Sequence, residues 1–206
     1  MDKGSLLIME SYLSGIATAL GGLPLDKIAA VVELLDEASL KGSKVFTFGN
    51  GGSAATASHF ACDLTKGTIC EDKPRLKVFA LTDNTPLFSA WANDTDYSNV
   101  FAEQMYGLVE PGDISIAISG SGNSPNVLNG TRVARIKGAT TVGFIGFDGG
   151  KLKDLVDIPL IVANNNMEQV EDIHLMLAHV ITVCLRQKRL DTLMVATGMD
   201  TMLRQA

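Results

Sequence analysis

The stretch KVFTFGNGGSAATASHF, residues 44–60, decides the fold. Its first five residues, Lys44–Phe48, form a run rich in Val and Phe without polar alternation, the pattern of a strand covered on both faces and hence of a parallel sheet. Gly49-Asn50-Gly51-Gly52-Ser53 then breaks the strand and opens directly into a helical stretch, Ser53–Thr65. Strand, Gly/Ser/Asn loop and helix in succession make a βα unit whose loop lies at the carboxyl end of the strand, where open α/β sheets bind their ligands.

Four more runs repeat the strand signature: Lys77–Leu81, Asp113–Ile118, Thr140–Ile145 and Asp157–Val162. Helical stretches separate them. Leu25–Leu40 carries Ile28, Val31, Val32, Leu34 and Leu35 at helical spacing and stops before Gly42. Thr85–Ala92 and Ser98–Leu108 follow the second strand, and Glu168–Gln187 follows the fifth. Ser124–Lys137 follows the third, with Ser124 at the N-cap and Pro125 at the first helical position, a favoured start. This alternation predicts an α/β fold: a five-stranded parallel sheet with helices on both faces, a doubly wound three-layer sandwich with an extra amphipathic N-terminal helix within residues 1–20. Residues 1–188 read as a single domain and 189–206 as a C-terminal tail with no assignable structure.

The 206 residues are 46% hydrophobic and 19% charged, which provides for a buried core and excludes a disordered chain. A net charge of −6 without any Lys/Arg run predicts no nucleic-acid and no membrane partner, so an anionic ligand must be held by local dipoles. No uninterrupted run of about 18 apolar residues occurs. Glu10, Ser11, Ser14 and Gly15 interrupt the first twenty residues, so no signal peptide is expected. Cys62, Cys70 and Cys184 show neither disulfide-framework nor zinc-thiolate spacing, which points to reduced thiols and a cytoplasmic protein.

A second loop, Ser119-Gly120-Ser121-Gly122-Asn123-Ser124, matches the first in chemistry and position. Glycines turn backbone N–H groups toward an anion, serine hydroxyls add donors, and the helix start adds partial positive charge. Each loop alone reads equally as a tight strand-to-helix turn; two at equivalent positions favour an anion site. Neither fits G-x-x-x-x-G-K-[ST] or G-x-G-x-x-G with a downstream acid, which disfavours an ordinary nucleotide site. His59 and Asp63, four apart on the helix that opens at the first loop, share a face, the spacing of a two-toothed metal clamp and also of a surface ion pair.

The strand-loop pairs Phe48-Gly49-Asn50-Gly51-Gly52-Ser53 and Ile118-Ser119-Gly120-Ser121-Gly122-Asn123-Ser124 resemble those of the sugar isomerase (SIS) domain. His59-Phe60-Ala61, Trp91-Ala92-Asn93-Asp94, Phe101-Ala102-Glu103-Gln104, Pro111-Gly112-Asp113, Asp148-Gly149-Gly150-Lys151 and the helix Glu171–His179 resemble the bacterial phosphoheptose isomerases, so that the likeness covers about Leu25 to Gln187. It implies an SIS-type fold, conversion of sedoheptulose 7-phosphate to D-glycero-D-manno-heptose 7-phosphate through an enediolate, one zinc per subunit and a homotetramer.

The resemblance also implies site residues. Asp63 is expected as base and His179 as its acid–base partner; His59, Asp63, Glu171 and His179 as metal ligands; and Asn50, Gly51, Gly52, Ser53, Asn93, Asp94, Ser119, Gly120, Ser121, Ser124 and Glu171 as substrate contacts. Whether Asp63 serves as tight ligand or free base stays open. Glu171 and His179 stand eight residues apart, about 12 Å along one helix, so a shared metal predicts that one of them comes from a neighbouring subunit. His174 reads as a packing histidine. The chain departs from the family pattern at Asp63, where the family has Glu, at Glu171, where it has Gln, at Gly120, where it commonly has Thr, and at Lys66-Gly67, where it has Gly-Arg. Lys66 reads either as a replacement cation or as a solvated lysine. Two other functions fit the same resemblance: a non-catalytic phosphosugar-binding SIS protein acting through contacts with the replication initiator DnaA, and an isomerase or epimerase of a different phosphorylated sugar.

Overall fold

The computed structural model of the chain describes residues 2–196. Its elements run α1 Lys3–Leu20, α2 Leu25–Lys41, β1 Lys44–Phe48, α3 Gly52–Gly67, β2 Lys77–Ala80, α4 Thr85–Asp94, α5 Val100–Leu108, β3 Ile114–Ser119, α6 Pro125–Ile136, β4 Thr140–Gly146, β5 Ile158–Val162 and α7 Met167–Ala196, with short 3-10 turns at Tyr97–Asn99 and Leu152–Asp154. The five strands form one parallel sheet in the order β2-β1-β3-β4-β5.

Strand alternation sorts the core into two layers. On one face Val45, Ile116 and Phe144 pack under Val31 and Leu35 of α2, Phe60 and Leu64 of α3, and Ile173, Leu177 and Ile181 of α7. On the other, Phe46, Phe48, Ala117 and Ile145 pack under Phe101 and Met105 of α5 and Val127 and Ala134 of α6. All six residues of β3 are buried. The strand order reverses between β1 and β3, and the crevice beyond their carboxyl ends is the topological switch point at which doubly wound sheets bind ligands.

Two expectations need correcting. The second strand was expected to be covered on both faces, but β2 is one of the sheet's two edge strands and alternates exposed with half-buried residues, leaving Phe79 48% exposed. Its ring stacks on Phe46, and Lys77 keeps a charge on an edge that would otherwise invite further pairing. The last helix continues to Ala196, well past the expected Gln187. Arg189, placed by sequence in the tail, is 1% exposed and is among the largest fully buried side chains. It donates to the Thr68 carbonyl at 2.8 Å, to Ser39 Oγ at 3.1 Å and to the Pro74 carbonyl, and its Nε lies 3.6 Å from the buried Asp36 carboxylate. α7 is thereby tied to α2 and to the segment after α3. Residues 197–206 lie outside the described residues.

α1 buries none of its residues within the chain. It is held to α7 by Tyr12, whose hydroxyl donates to Asp172 at 2.6 Å, a bond that pushes the phenol's pKa up to about 12, and whose carbonyl accepts from Gln169 at 3.1 Å. Among the described residues no single helix is long and apolar enough to cross a membrane.

Candidate active site

The two Gly/Ser loops meet. A Cβ on Gly49 would lie 2.7 Å from the Ile118 carbonyl oxygen, so the loop after β1 rests on the end of β3. Between them is a cavity of about 120 Å³ lined by Asn50, Ser53, Ile118, Ser119, Gly120, Ser121, Ser124, Met167 and Glu171. Gly51, with φ +54°, caps α3 without a side chain, and the first amide of the helix region to reach a main-chain carbonyl is that of Ala54. Ser119 Oγ accepts from Gly122 N and Ser121 Oγ from Asn123 N, both at 3.2 Å, which leaves the two hydroxyl protons to be donated. Ser124 stands at the N-cap of α6 with its hydroxyl making no cap bond. Two helix starts and four hydroxyls thus converge on one cavity whose lining holds no Lys, Arg or His. Apart from the Glu171 carboxylate, the described lining offers only dipoles, the donor set of a candidate anion cradle.

Two side chains from α7 form its far wall. A Cβ on Gly120 would collide with Met167 Sδ, so a thioether fills the space that a side chain on this loop would take. A Cβ on Gly52 would collide with the Glu171 carboxylate, which therefore lies against the first turn of α3. That position suits a negative charge electrostatically, but it also puts a carboxylate beside any bound phosphate.

Farther along α3, a second group forms. His59 Nε2 and His179 Nε2 stand 3.1 Å apart, and Asp63 Oδ2 lies 3.3 Å from the first and 3.6 Å from the second. The imidazoles meet edge to face with ring centroids 5.0 Å apart. His59 and Asp63 stand four positions apart on one helical face, and α7 brings His179 across to them. Donors 2.0–2.1 Å from a tetrahedral zinc sit about 3.3 Å from one another, and these three atoms already do so. Two imidazoles and a carboxylate with one position left open is also a catalytic donor set. The residues fit a divalent metal.

His179 reaches this cluster within its own chain, so the expected contribution from a neighbour is not needed to bring it there. Glu171 is the expected ligand that stays out of the cluster, in the cradle instead. Asn93 and Asp94 end α4 exposed, bonded to each other at 2.9 Å, and do not line the cradle. Lys66 lines a separate cavity of about 500 Å³ with Cys62, Phe79 and Asp83. His174 is a packing residue: it is 1% exposed beside Phe144, its ring nitrogens make no well-formed hydrogen bond among the described residues, and burial pushes its pKa down to about 4 against a weaker opposing contact with the Ile145 main chain. Sequence reasoning missed Met167, Asn126 and Tyr97. Asn126 Nδ2 and Tyr97 Oη both donate to Asn50 Oδ1, at 2.8 and 3.0 Å.

The sequence model of the SIS domain matches residues 13–146. The phosphoheptose isomerase of Aliarcobacter butzleri is 42% identical over 162 residues, covering 78% of this chain and 82% of that protein. The chain is a member of the SIS-domain phosphoheptose isomerase family. Solved phosphoheptose isomerases share its fold: that of Francisella tularensis superposes with a TM-score of 0.82 at 27% identity over 91% of this chain and all of its own, and that of Neisseria gonorrhoeae with a TM-score of 0.81 at 27% identity over 90% and 98%. The Gly/Ser-loop cavity and the His/Asp/His cluster are the candidate sites for this family's chemistry in the described residues.

Proposed function

We propose that this chain is an aldose–ketose isomerase that converts sedoheptulose 7-phosphate to D-glycero-D-manno-heptose 7-phosphate. The observation that carries this reading is the placement of both sites on α3. Ser53 stands in its first turn at the cradle, and His59 and Asp63 follow six and ten residues later, about 9 and 15 Å along the axis. These axial separations are of the order of an extended heptose phosphate's length, so a sugar with its phosphate in the cradle would extend its carbonyl end toward the cluster.

The chemistry moves one proton between adjacent carbons. Asp63, with Oδ2 facing the two imidazoles, takes a proton from C1 of the ketose, leaving an enediolate. His179 passes a proton from the C1 oxygen to the C2 oxygen, and the proton held by Asp63 returns to C2, giving the aldehyde at C1. Such groups each contribute typically about 10²–10⁴-fold. A divalent metal, zinc in our reading, would be held by His59 together with whichever of Asp63 and His179 is not carrying the proton, and would polarise the sugar oxygens as a Lewis acid. Remote binding energy from Ser53, Ser119, Ser121 and Ser124 positions the reacting carbons. Gly51 and Gly52 turn the main chain toward the ester, Glu171 borders it, and Asn93 and Asp94 serve sugar hydroxyls.

The protein acts as a homo-oligomer, a tetramer, in the cytoplasm. Support comes from α1, which exposes Leu7 at 65%, Ile8 at 72% and Leu13 at 66%, and from three free cysteines. A purely protein-binding role is not favoured, since His179 completes the cluster and the relatives bear the name of an isomerase. The test is to incubate purified protein with sedoheptulose 7-phosphate and follow the aldoheptose 7-phosphate by NMR. Conversion is expected, with none of unphosphorylated sedoheptulose; failure to convert the phosphorylated sugar in the presence of zinc would sink the reading.

A further inference from the structure

Asn50 separates two cavities. One is the cradle; the other, about 230 Å³, lies on the opposite side of the loop and is lined by Gly49, Asn50, Gly51, Ala54, Thr82, Phe88 and Tyr97. An amide has one oxygen with two lone pairs and two N–H donors. Asn50 Oδ1 accepts from Tyr97 Oη at 3.0 Å and from Asn126 Nδ2 at 2.8 Å, and Asn50 Nδ2 donates to Asn126 Oδ1 at 2.8 Å. Asn126 Oδ1 accepts in addition from Val127 N at 2.9 Å. The reciprocal pair fixes which way both amides point, and it leaves Asn50 a single N–H for a ligand.

The three residues come from three places. Asn50 belongs to the first loop, Asn126 is the second residue of α6 and 1% exposed, and Tyr97 opens the 3-10 turn that follows α4. Tyr97 is half-exposed, with its ring edge-on to Phe88 at 5.8 Å. Only two residues, Thr95 and Asp96, separate Tyr97 from the Asn93–Asp94 pair. The amide pair therefore clasps the two halves of the cradle to each other, and the tyrosine hydroxyl clasps the α4 end to the cradle.

We propose that Asn126 and Tyr97 are positioning residues of this site: Asn126 holds the cradle shut around the phosphate, and Tyr97 registers the α4 end, with Asn93 and Asp94, against a phosphate already bound. The Tyr97 part rests on the isomerase reading above; the Asn126 part rests on anion binding alone.

The experiment measures Kd for inorganic phosphate by calorimetry, kcat and KM for sedoheptulose 7-phosphate, and Tm, on wild type, Tyr97→Phe, Asn126→Ala, Asn126→Ser, Asn50→Ala and the double variant Tyr97→Phe/Asn50→Ala. For Tyr97→Phe we expect kcat/KM to fall about fivefold, the effect of one neutral hydrogen bond, with phosphate Kd and Tm unchanged. In the Asn50→Ala background Tyr97→Phe is expected to have no further effect, because its acceptor is gone. For Asn126→Ala phosphate Kd is expected to rise several-fold, and Asn126→Ser, smaller but still polar, to recover part of the loss. Wild-type kcat/KM in Tyr97→Phe, or full additivity with Asn50→Ala, overturns the Tyr97 assignment. Unchanged phosphate Kd in a folded Asn126 variant overturns that of Asn126. If wild type binds phosphate but turns over no sugar phosphate, the isomerase reading fails and Tyr97's role with it, while the Asn126 clasp is still decided by the phosphate Kd.

Discussion

Met167 and Gly120 occupy one space: the thioether sulfur of the first residue of α7 sits where a side chain on the second phosphate loop would have to go. The pair explains why position 120 takes glycine in this chain. Gly120→Thr should cost about 1–3 kcal/mol as overpacking and weaken phosphate binding. Adding Met167→Ala should restore both. Chemical denaturation and phosphate titration of the single and double variants check this.

Glu171 places a carboxylate in a cradle whose lining has no cation. Like charges about 4 Å apart repel by about 4 kcal/mol at an effective dielectric of 20, and less where water screens them. Glu171→Gln is therefore expected to tighten inorganic phosphate by roughly tenfold or more. Competition assays against sedoheptulose 7-phosphate would read this directly, and unchanged inhibition would place the carboxylate elsewhere.

His174 predicts a pH-dependent stability. Burial pushes its pKa down to about 4 in the folded chain, below the ordinary imidazole value of 6.5, because it opposes the charged ring. The unfolded chain therefore binds the proton more readily, and stability is fully present above pH 6.5 and drains away as pH falls toward 4. Between pH 7 and pH 5 the loss from this group is about 2 kcal/mol. His174→Leu, which fills the pocket beside Phe144 without a titrating group, should flatten that part of the urea-denaturation profile.

Arg189 anchors α7 through Thr68, Ser39 and Pro74 and lies against the buried Asp36. Arg189→Ala leaves Asp36 with Lys73 at 3.5 Å and Lys188 at 3.9 Å as its remaining counter-charges. The expected loss is about 3–5 kcal/mol, the range for breaking a buried pair from one side, measurable as a drop in Tm with little change in phosphate binding.

The sheet could be read along the chain because each strand is a local apolar run and each loop a local Gly/Ser cluster. What escaped reading depends on partners distant in sequence. β2 has the same composition as the buried strands, and only the strand order makes it an edge. Arg189 looks like a solvated residue near a terminus, and its burial is decided by groups from Ser39 to Pro74. His59 and Asp63 share a face by spacing alone, whereas His179 joins them only because α7 crosses α3. Tyr97 and Asn126 carry no motif, and their role appears only where Asn50 meets them.

The claim underlying all of this is a division of labour along α3, with capture at Ser53 and chemistry at Asp63. The most direct measurement compares wild type with Asp63→Asn for turnover of sedoheptulose 7-phosphate and for inhibition by inorganic phosphate. A loss of about a hundredfold or more in kcat, with phosphate inhibition held within about twofold, is the predicted result. Wild-type turnover by Asp63→Asn, or equal loss of phosphate inhibition, would contradict it.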